Sequence, residues 1–258
     1  MTKQDKIALA QNCITKAWAC PTDSFTKDEN LIMETNQAFF EVATFGHNAV
    51  IRADKSIHDW CVSTFADVPA NLIMDGENLY LIEQKLRENG HRLSGEHVNY
   101  MHLYPSQKAE TPQGFSFEVY EQDRMSELYA DAGFSVEIDT MHVVHQFHTK
   151  SPRFESALNY DEKGEVLAIV ARKDDDIAAV VAADDYNYGL WQIGIDTVPR
   201  YRGMGLAAYL VKEIAYESEK RGETVFYATW GANIASTRTA LKAGFAPVWV
   251  SFCAEKTE

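Results

Sequence analysis

Ile195-Asp-Thr-Val-Pro-Arg-Tyr-Arg-Gly-Met-Gly-Leu-Ala207 carries an apolar strand through a glycine-containing turn and straight onto an amphipathic helix. Such a junction suits an anion. The first amides of a helix lack intrahelical partners and the helix dipole is positive there, so backbone N–H groups of Arg202, Gly203, Met204, Gly205, Leu206 and Ala207 can converge on a pyrophosphate. Gly203 and Gly205 let phosphate oxygens approach the main chain without a Cβ in the way, and Arg200 and Arg202 add local positive charge. The plainer alternative is a tight strand-to-helix turn with two solvated arginines, because short glycine patterns also arise by chance.

Working outward, 190–197 forms the strand that leads in, after strands over 166–172 and 177–183. Turn-forming groups at 173–176 and 184–189 divide the three into an antiparallel meander. The helix over 205–221 has Leu206, Leu210, Val211 and Ile214 on one face and stops at Gly222. A strand over 224–230, a helix over 234–243 and a strand over 248–253 complete the chain, giving the order βββ then αβαβ. A short strand over 115–119 and a helix over 121–132 precede the meander.

Further upstream, Ile7, Ala10, Ile14 and Trp18 recur at helical spacing, 39–45 and 49–52 read as strands, 78–89 as a helix ended by Gly90, and 97–104 as a strand. The most polar, turn-rich stretch is 105–114, which makes it the linker candidate. The expectation is an N-terminal α/β domain over 1–112 and a second domain over 113–258, in a mixed α+β fold class.

Composition narrows the function. In 258 residues, 46% are apolar and 24% charged, a packed globular profile. Against 24 Lys and Arg stand 38 Asp and Glu, a net charge of −14 that disfavours nucleic acid and anionic membrane surfaces as partners. The acidity is shared, with 10 basic and 15 acidic residues up to Pro112 and 14 and 23 after it, which favours a cationic ligand. Cys13, Cys20, Cys61 and Cys253 have neither disulfide nor metal-ligand spacing and read as mostly buried reduced thiols. No apolar run approaches the ~20 residues that span a bilayer, and lysines interrupt the N-terminal apolar residues, so the expected location is the cytoplasm.

Arg200-Tyr-Arg-Gly-Met-Gly205, preceded by an apolar strand and Pro199, resembles the R/Q-x-x-G-x-G/A acetyl-CoA signature of the GNAT superfamily of N-acetyltransferases. Asn233-x-x-Ser236 followed by Ala243-Gly-Phe245 is similar to that family's second signature. The lead-in Trp191-Gln-Ile-Gly-Ile-Asp196 and the form Tyr201-Arg-Gly-Met-Gly-Leu-Ala207 resemble a subgroup that includes zwittermicin-resistance-type acetyltransferases. The resemblance runs from about Phe115 to the C-terminus and implies a GNAT-like fold there. It implies acetyl-CoA as cosubstrate, no metal, and direct attack of an acceptor amine on the acetyl thioester. Ile195, Asp196, Thr197 and Val198 would line the pantetheine arm where the strand splays from its neighbour, with Asn233 and Ser236 close by. A backbone N–H would stabilise the oxyanion.

Two departures stand out. The family commonly has a tyrosine seven residues after the Asn as acid for the departing thiolate, and that position is Ala240. Its usual strand carboxylate falls near Trp191, leaving Asp196 as the catalytic candidate, although strand alternation places Asp196 on the opposite face. The expected activity is acetyl transfer to the primary amine of a small molecule, such as an antibiotic or a polyamine-like metabolite, with the domain over 1–112 as one wall of the acceptor site; the alternative is a non-catalytic acyl-CoA-binding or sensing protein. His142, His145 and His148 read as structural histidines or an acceptor-pocket base, Asp184 and Asp185 as a turn with a lesser prospect of holding a cation, and Trp191 and Trp230 as core packing or, second, as walls of the acyl pocket.

Overall fold

In a computed structural model the structure describes residues 1–132, 134–137, 146–149, 154, 156–158, 164–187 and 189–257. Chain order is α1 (Lys3–Ala17), β1 (Leu31–Glu34), β2 (Phe40–Thr44), β3 (Ala49–Ala53), α2 (Lys55–Phe65), α3 (Gly76–Glu88), β4 (His91–Leu93) and β5 (His97–Met101). Then come β6 (Ser116–Glu121), a 3-10 turn (Gln122–Arg124), α4 (Met125–Ala132), β7 (Phe134–Glu137), β8 (Gln146–Thr149), β9 (Glu165–Lys173), β10 (Asp176–Asn187) and β11 (Leu190–Thr197). A second 3-10 turn (Pro199–Tyr201), α5 (Leu206–Lys220), β12 (Thr224–Trp230), α6 (Ile234–Lys242) and β13 (Ala246–Lys256) follow. Helices and parallel and antiparallel strands coexist, which is the mixed class expected.

Two compact units share this chain, and they interleave. The first is Met1–Leu9, Met101–Tyr227 and Ala235–Ala246; the second is Ala10–Tyr100, Ala228–Ile234 and Pro247–Glu258. This division differs from a single cut after residue 112. The reason lies in β13, whose Val250, Ser251, Phe252 and Cys253 pair antiparallel with β2 and whose Ala254, Glu255 and Lys256 pair with β4, so the C-terminal strand completes the N-terminal sheet.

The first unit is built on the meander. β9, β10 and β11 pair antiparallel in sequence, β6 adds to β9, and β12 pairs parallel to β11. β10 is twelve residues long and includes Asp184 and Asp185, so the connecting turn is shorter than 184–189. Register places Ala168, Val170, Val180, Ala182 and Val198 on one sheet face, where they bury against Met125, Leu128, Tyr129 and Phe154. α5 turns Leu206, Leu210, Val211 and Ile214 inward, as its spacing predicts.

The stretch 105–114 belongs to this unit and is irregular but anchored. The Ser106 N–H donates to Glu219 at 2.7 Å and the Ala109 N–H to Glu213 at 3.2 Å, both carboxylates standing on α5. Lys6, buried, donates to the carbonyls of His102 (2.7 Å) and Tyr104 (3.2 Å) and pairs with Glu219. Its polar composition therefore reflects backbone groups bonded to side chains, where composition alone suggested a free linker.

The second unit orders β1, β3, β2 and β13 in a sheet whose core includes Phe40, Val42, Ile51, Ile57, Cys61 and Phe65. Helix α2 has no counterpart in the expected elements. Its signals are nevertheless present: Asp54 caps it by accepting the Ser56 N–H at 2.8 Å, and Ile57, Cys61 and Phe65 recur every four residues on its buried face. Burial pushes the Cys61 thiol up to about 12, so it stays protonated. Among the described residues the four cysteines form no disulfide, and two of them are buried and two half-buried.

Candidate functional site

The parallel ladder between β11 and β12 is only four residues long, from Leu190↔Thr224 to Ile193↔Tyr227. On the other side β11 stays paired with β10, and the Val198 N–H continues that ladder to the Ala178 carbonyl at 2.9 Å. Alternation from Val198 directs the N–H groups of Asp196 and Gly194 to β10 and those of Ile195 and Thr197 to the opposite edge, past the end of the parallel ladder. Thr197 adds a buried hydroxyl there with no hydrogen-bond partner among the described residues. Two strand amides that face outward past the end of the parallel ladder are a place where a ligand's polar atoms would be satisfied.

The strand then enters the 3-10 turn and the glycine pair. Gly203 has φ +79° and Gly205, the helix N-cap, φ +81°, a left-handed backbone that a side chain would strain. A Cβ at either would meet nothing within 4 Å. Conformation, not crowding, therefore calls for glycine. No side chain caps α5, and its first intrahelical bond is Tyr209 N–H to the Gly205 carbonyl, so the amides of Leu206, Ala207 and Ala208 open outward. Met204 beside them is exposed. These groups fit an anionic phosphate arm.

The arginines contribute less than the sequence suggests. Arg200 bonds Asp176 and lies over the Tyr201 ring, and Arg202 donates Nε to the Thr197 carbonyl at 3.2 Å. Positive charge at the turn is thus partly neutralised and partly spent on holding the strand end. Asp196 is held as well. Its Oδ2 accepts the N–H groups of Ser156 (2.7 Å) and Ala157 (2.9 Å), fixing a short turn over the sheet. Gly194 accommodates the same turn, since a Cβ there would stand 1.7 Å from the Ser156 carbonyl oxygen.

Asn233 lies in the exposed turn before α6, its N–H donating to the Trp230 carbonyl at 2.9 Å, and Ser236 lies in the first turn of α6. Ser236 bonds the hydroxyl of Tyr227, a phenol that burial pushes above its ordinary range. Tyr227 was not among the expected site residues, because only the register places it at the last rung of the ladder. Ala240 is fully buried and brings no hydroxyl. Trp191 is half-buried, but Trp230, expected as core, is 62% exposed. His142 and His145 lie outside the described residues; His148 lies in β8. Among the described residues no group of three His, Cys, Asp or Glu is placed to hold a metal, and no helix is long and apolar enough to cross a membrane.

Residues 123–245 match the acetyltransferase (GNAT) family. No curated protein matches the chain. Among solved structures, a GNAT-family acetyltransferase described as putative, from Novosphingobium aromaticivorans, is similar at 17% identity, over 66% of this chain and 69% of that one, with a TM-score of 0.42. A GCN5-related N-acetyltransferase from Kribbella flavida is similar at 17% identity over 67% of this chain and 62% of its own length, with a TM-score of 0.43. A GCN5-related N-acetyltransferase-like protein from Streptococcus suis gives 16% identity, 71% and 69% coverage, and 0.43.

Proposed function

We propose, from the GNAT family match over residues 123–245, that this chain is an acyltransferase moving the acetyl group of acetyl-CoA to the primary amine of a small molecule. The observation that carries the reading is the turn after β11, where two left-handed glycines precede three uncapped helix amides. Arg202, Gly203, Met204, Gly205, Leu206 and Ala207 would cradle the pyrophosphate, while Ile195, Thr197 and Val198 line the pantetheine arm and Ser236 flanks it. The bound thioester supplies the activated acetyl group.

In this reading the amine nitrogen attacks the acetyl carbonyl carbon, the carbon–sulfur bond breaks, and coenzyme A leaves as its thiolate. The outward N–H of Ile195 or Thr197 donates to the oxygen that gains charge, where a fixed donor is worth most. The amine gives up its proton to water, because Asp196 is engaged by two backbone amides and acts as a positioning residue for the 156–157 turn. Ala240 leaves the thiolate without a side-chain acid, and a thiolate of this kind departs unassisted. The likeness of 191–207 to zwittermicin-resistance-type enzymes, with the net charge of −14, points to an antibiotic-like or polyamine-like acceptor.

The test is incubation of the full chain with acetyl-CoA and a panel of amines, following free thiol release and acetylated products by mass spectrometry. Thiol release that depends on an amine and matches its acetylation supports the transferase. Saturable acetyl-CoA binding with no amine-dependent thiol release would assign the chain to acyl-CoA binding or sensing, the reading that Ala240 favours.

A further inference from the structure

The end of β12 presents a feature to which the transfer step proposed above gives no role. Trp230 is 62% exposed, where burying so large a ring would favour folding. It is nevertheless fixed. Its indole N–H donates to Nε2 of His97 at 2.7 Å, and the two rings are nearly coplanar, 9° apart, with centroids 6.4 Å from each other. Gly95 lays bare backbone against the ring, since a Cβ there would stand 3.6 Å from the indole. Burial keeps His97 neutral, and with Nε2 accepting, its proton resides on Nδ1. One part of the indole is thus packed and its edge is tied, while the remainder faces solvent.

Beside it stands Glu96. Its Oε2 lies 2.8 Å from where a Cβ on Gly231 would be, against the residue that follows the tryptophan. Glu96 makes no hydrogen bond or ion pair among the described residues, whereas nearby Glu255 is paired with Arg92. The turn over 231–234 is exposed throughout. An oriented aromatic face with an unpaired carboxylate at its side matches one ligand chemistry: the ring quadrupole and the carboxylate both attract a cation and both oppose an anion.

We propose that Trp230 and Glu96 form a binding site for the ammonium group of an organic amine. The site consists of residues of the second unit alone and stands independently of the acetyl-transfer reading. His97 and Gly95 set the ring's angle, and the negative charge of the whole chain raises the local concentration of such cations.

Butylammonium chloride is the probe, with 1-butanol as its uncharged counterpart, and binding to the full chain is read by ligand-observed NMR. Wild-type protein is expected to bind butylammonium and not 1-butanol. Trp230→Leu and Glu96→Gln should each weaken binding about tenfold, whereas Trp230→Tyr, which restores an aromatic face, should recover most of it. Trp230 is exposed and Glu96 half-buried, and unchanged thermal melts of the variants exclude misfolding. Equal binding by wild type, Trp230→Leu and Glu96→Gln would overturn the site, as would equal binding of 1-butanol. Sedimentation velocity covers the remaining reading: a wild-type dimer that Trp230→Leu dissociates would make the ring a protein interface and also overturn the proposal.

Discussion

The ends of β11 and β12 present different parts of the chain to a ligand in the two sites proposed above. At the end of β11 it is the backbone: two glycines at φ near +80°, three uncapped amides and two outward strand N–H groups, while the arginines are occupied with Asp176 and the Thr197 carbonyl. At the end of β12 it is side chains: an indole tied to a histidine 133 residues away in sequence, with a carboxylate alongside. A backbone site requires particular φ angles and therefore marks itself with glycine. A side-chain site assembled across the fold leaves no local trace.

The sharpest way to break this contrast is to change the glycines by one methyl. Gly203→Ala and Gly205→Ala meet no neighbouring atom, so any damage is conformational. A strained left-handed residue costs about 1–3 kcal/mol, which corresponds to roughly 10–100-fold weaker binding of coenzyme A if the turn relaxes to escape it. The coenzyme A-dependent rise in melting temperature should shrink accordingly. Gly205→Asn should lose less than Gly205→Ala, because Asn tolerates the left-handed region better. If Ala variants bind coenzyme A as wild type does, the turn is not a backbone cradle.

This difference also explains what was legible in the sequence. The meander, α5 and the glycine turn could be read because apolar periodicity and glycine placement are local. Helix α2 carried readable signals at Asp54, Ile57, Cys61 and Phe65, yet its position between strands and a polar stretch obscured them. The interleaving of the two units could not be read, since the pairing of β13 with β2 joins residues about two hundred positions apart. Nor could the exposure of Trp230, because an aromatic on a strand is ordinarily buried and only Gly95 and His97 show why this one is not.

A middle-sized effect tests whether side chains near β11 act chemically. Asp196→Ala removes the acceptor of the exposed Ser156 N–H and one of two acceptors of the Ala157 N–H, which keeps the Phe154 carbonyl at 3.2 Å, and should destabilise the fold by about 0.5–1.5 kcal/mol. Asp196→Asn keeps an acceptor oxygen and should be milder. Coenzyme A binding should survive in both, with turnover falling only as stability and loop position suffer. A large loss of turnover in Asp196→Asn with an unchanged melting temperature would instead make the carboxylate a general base.

The smallest effect concerns pH and the side-chain end of the comparison. Burial lowers the pKa of His97 in the folded chain, and the charge of Glu255 opposes this only in part. The unfolded chain therefore takes up a proton at a higher pH than the folded one. The stability that neutral His97 contributes is full above the unfolded value, about 6.5, and is lost as pH falls from there through the lowered folded value. Protonation of Nε2 also removes the acceptor of the Trp230 indole N–H, so tryptophan emission should change over the same acid window. His102 is lowered by burial in the same direction and forms a background common to wild type and variant. His97→Gln retains an oxygen acceptor for the indole but cannot titrate. Subtracting its melting-temperature and emission profiles from those of wild type isolates His97, and the difference should appear only on the acid side. Superimposable profiles would mean that the hydrogen bond to His97 does not hold Trp230, and that the ring's exposure is set by Gly95 and the strand end alone.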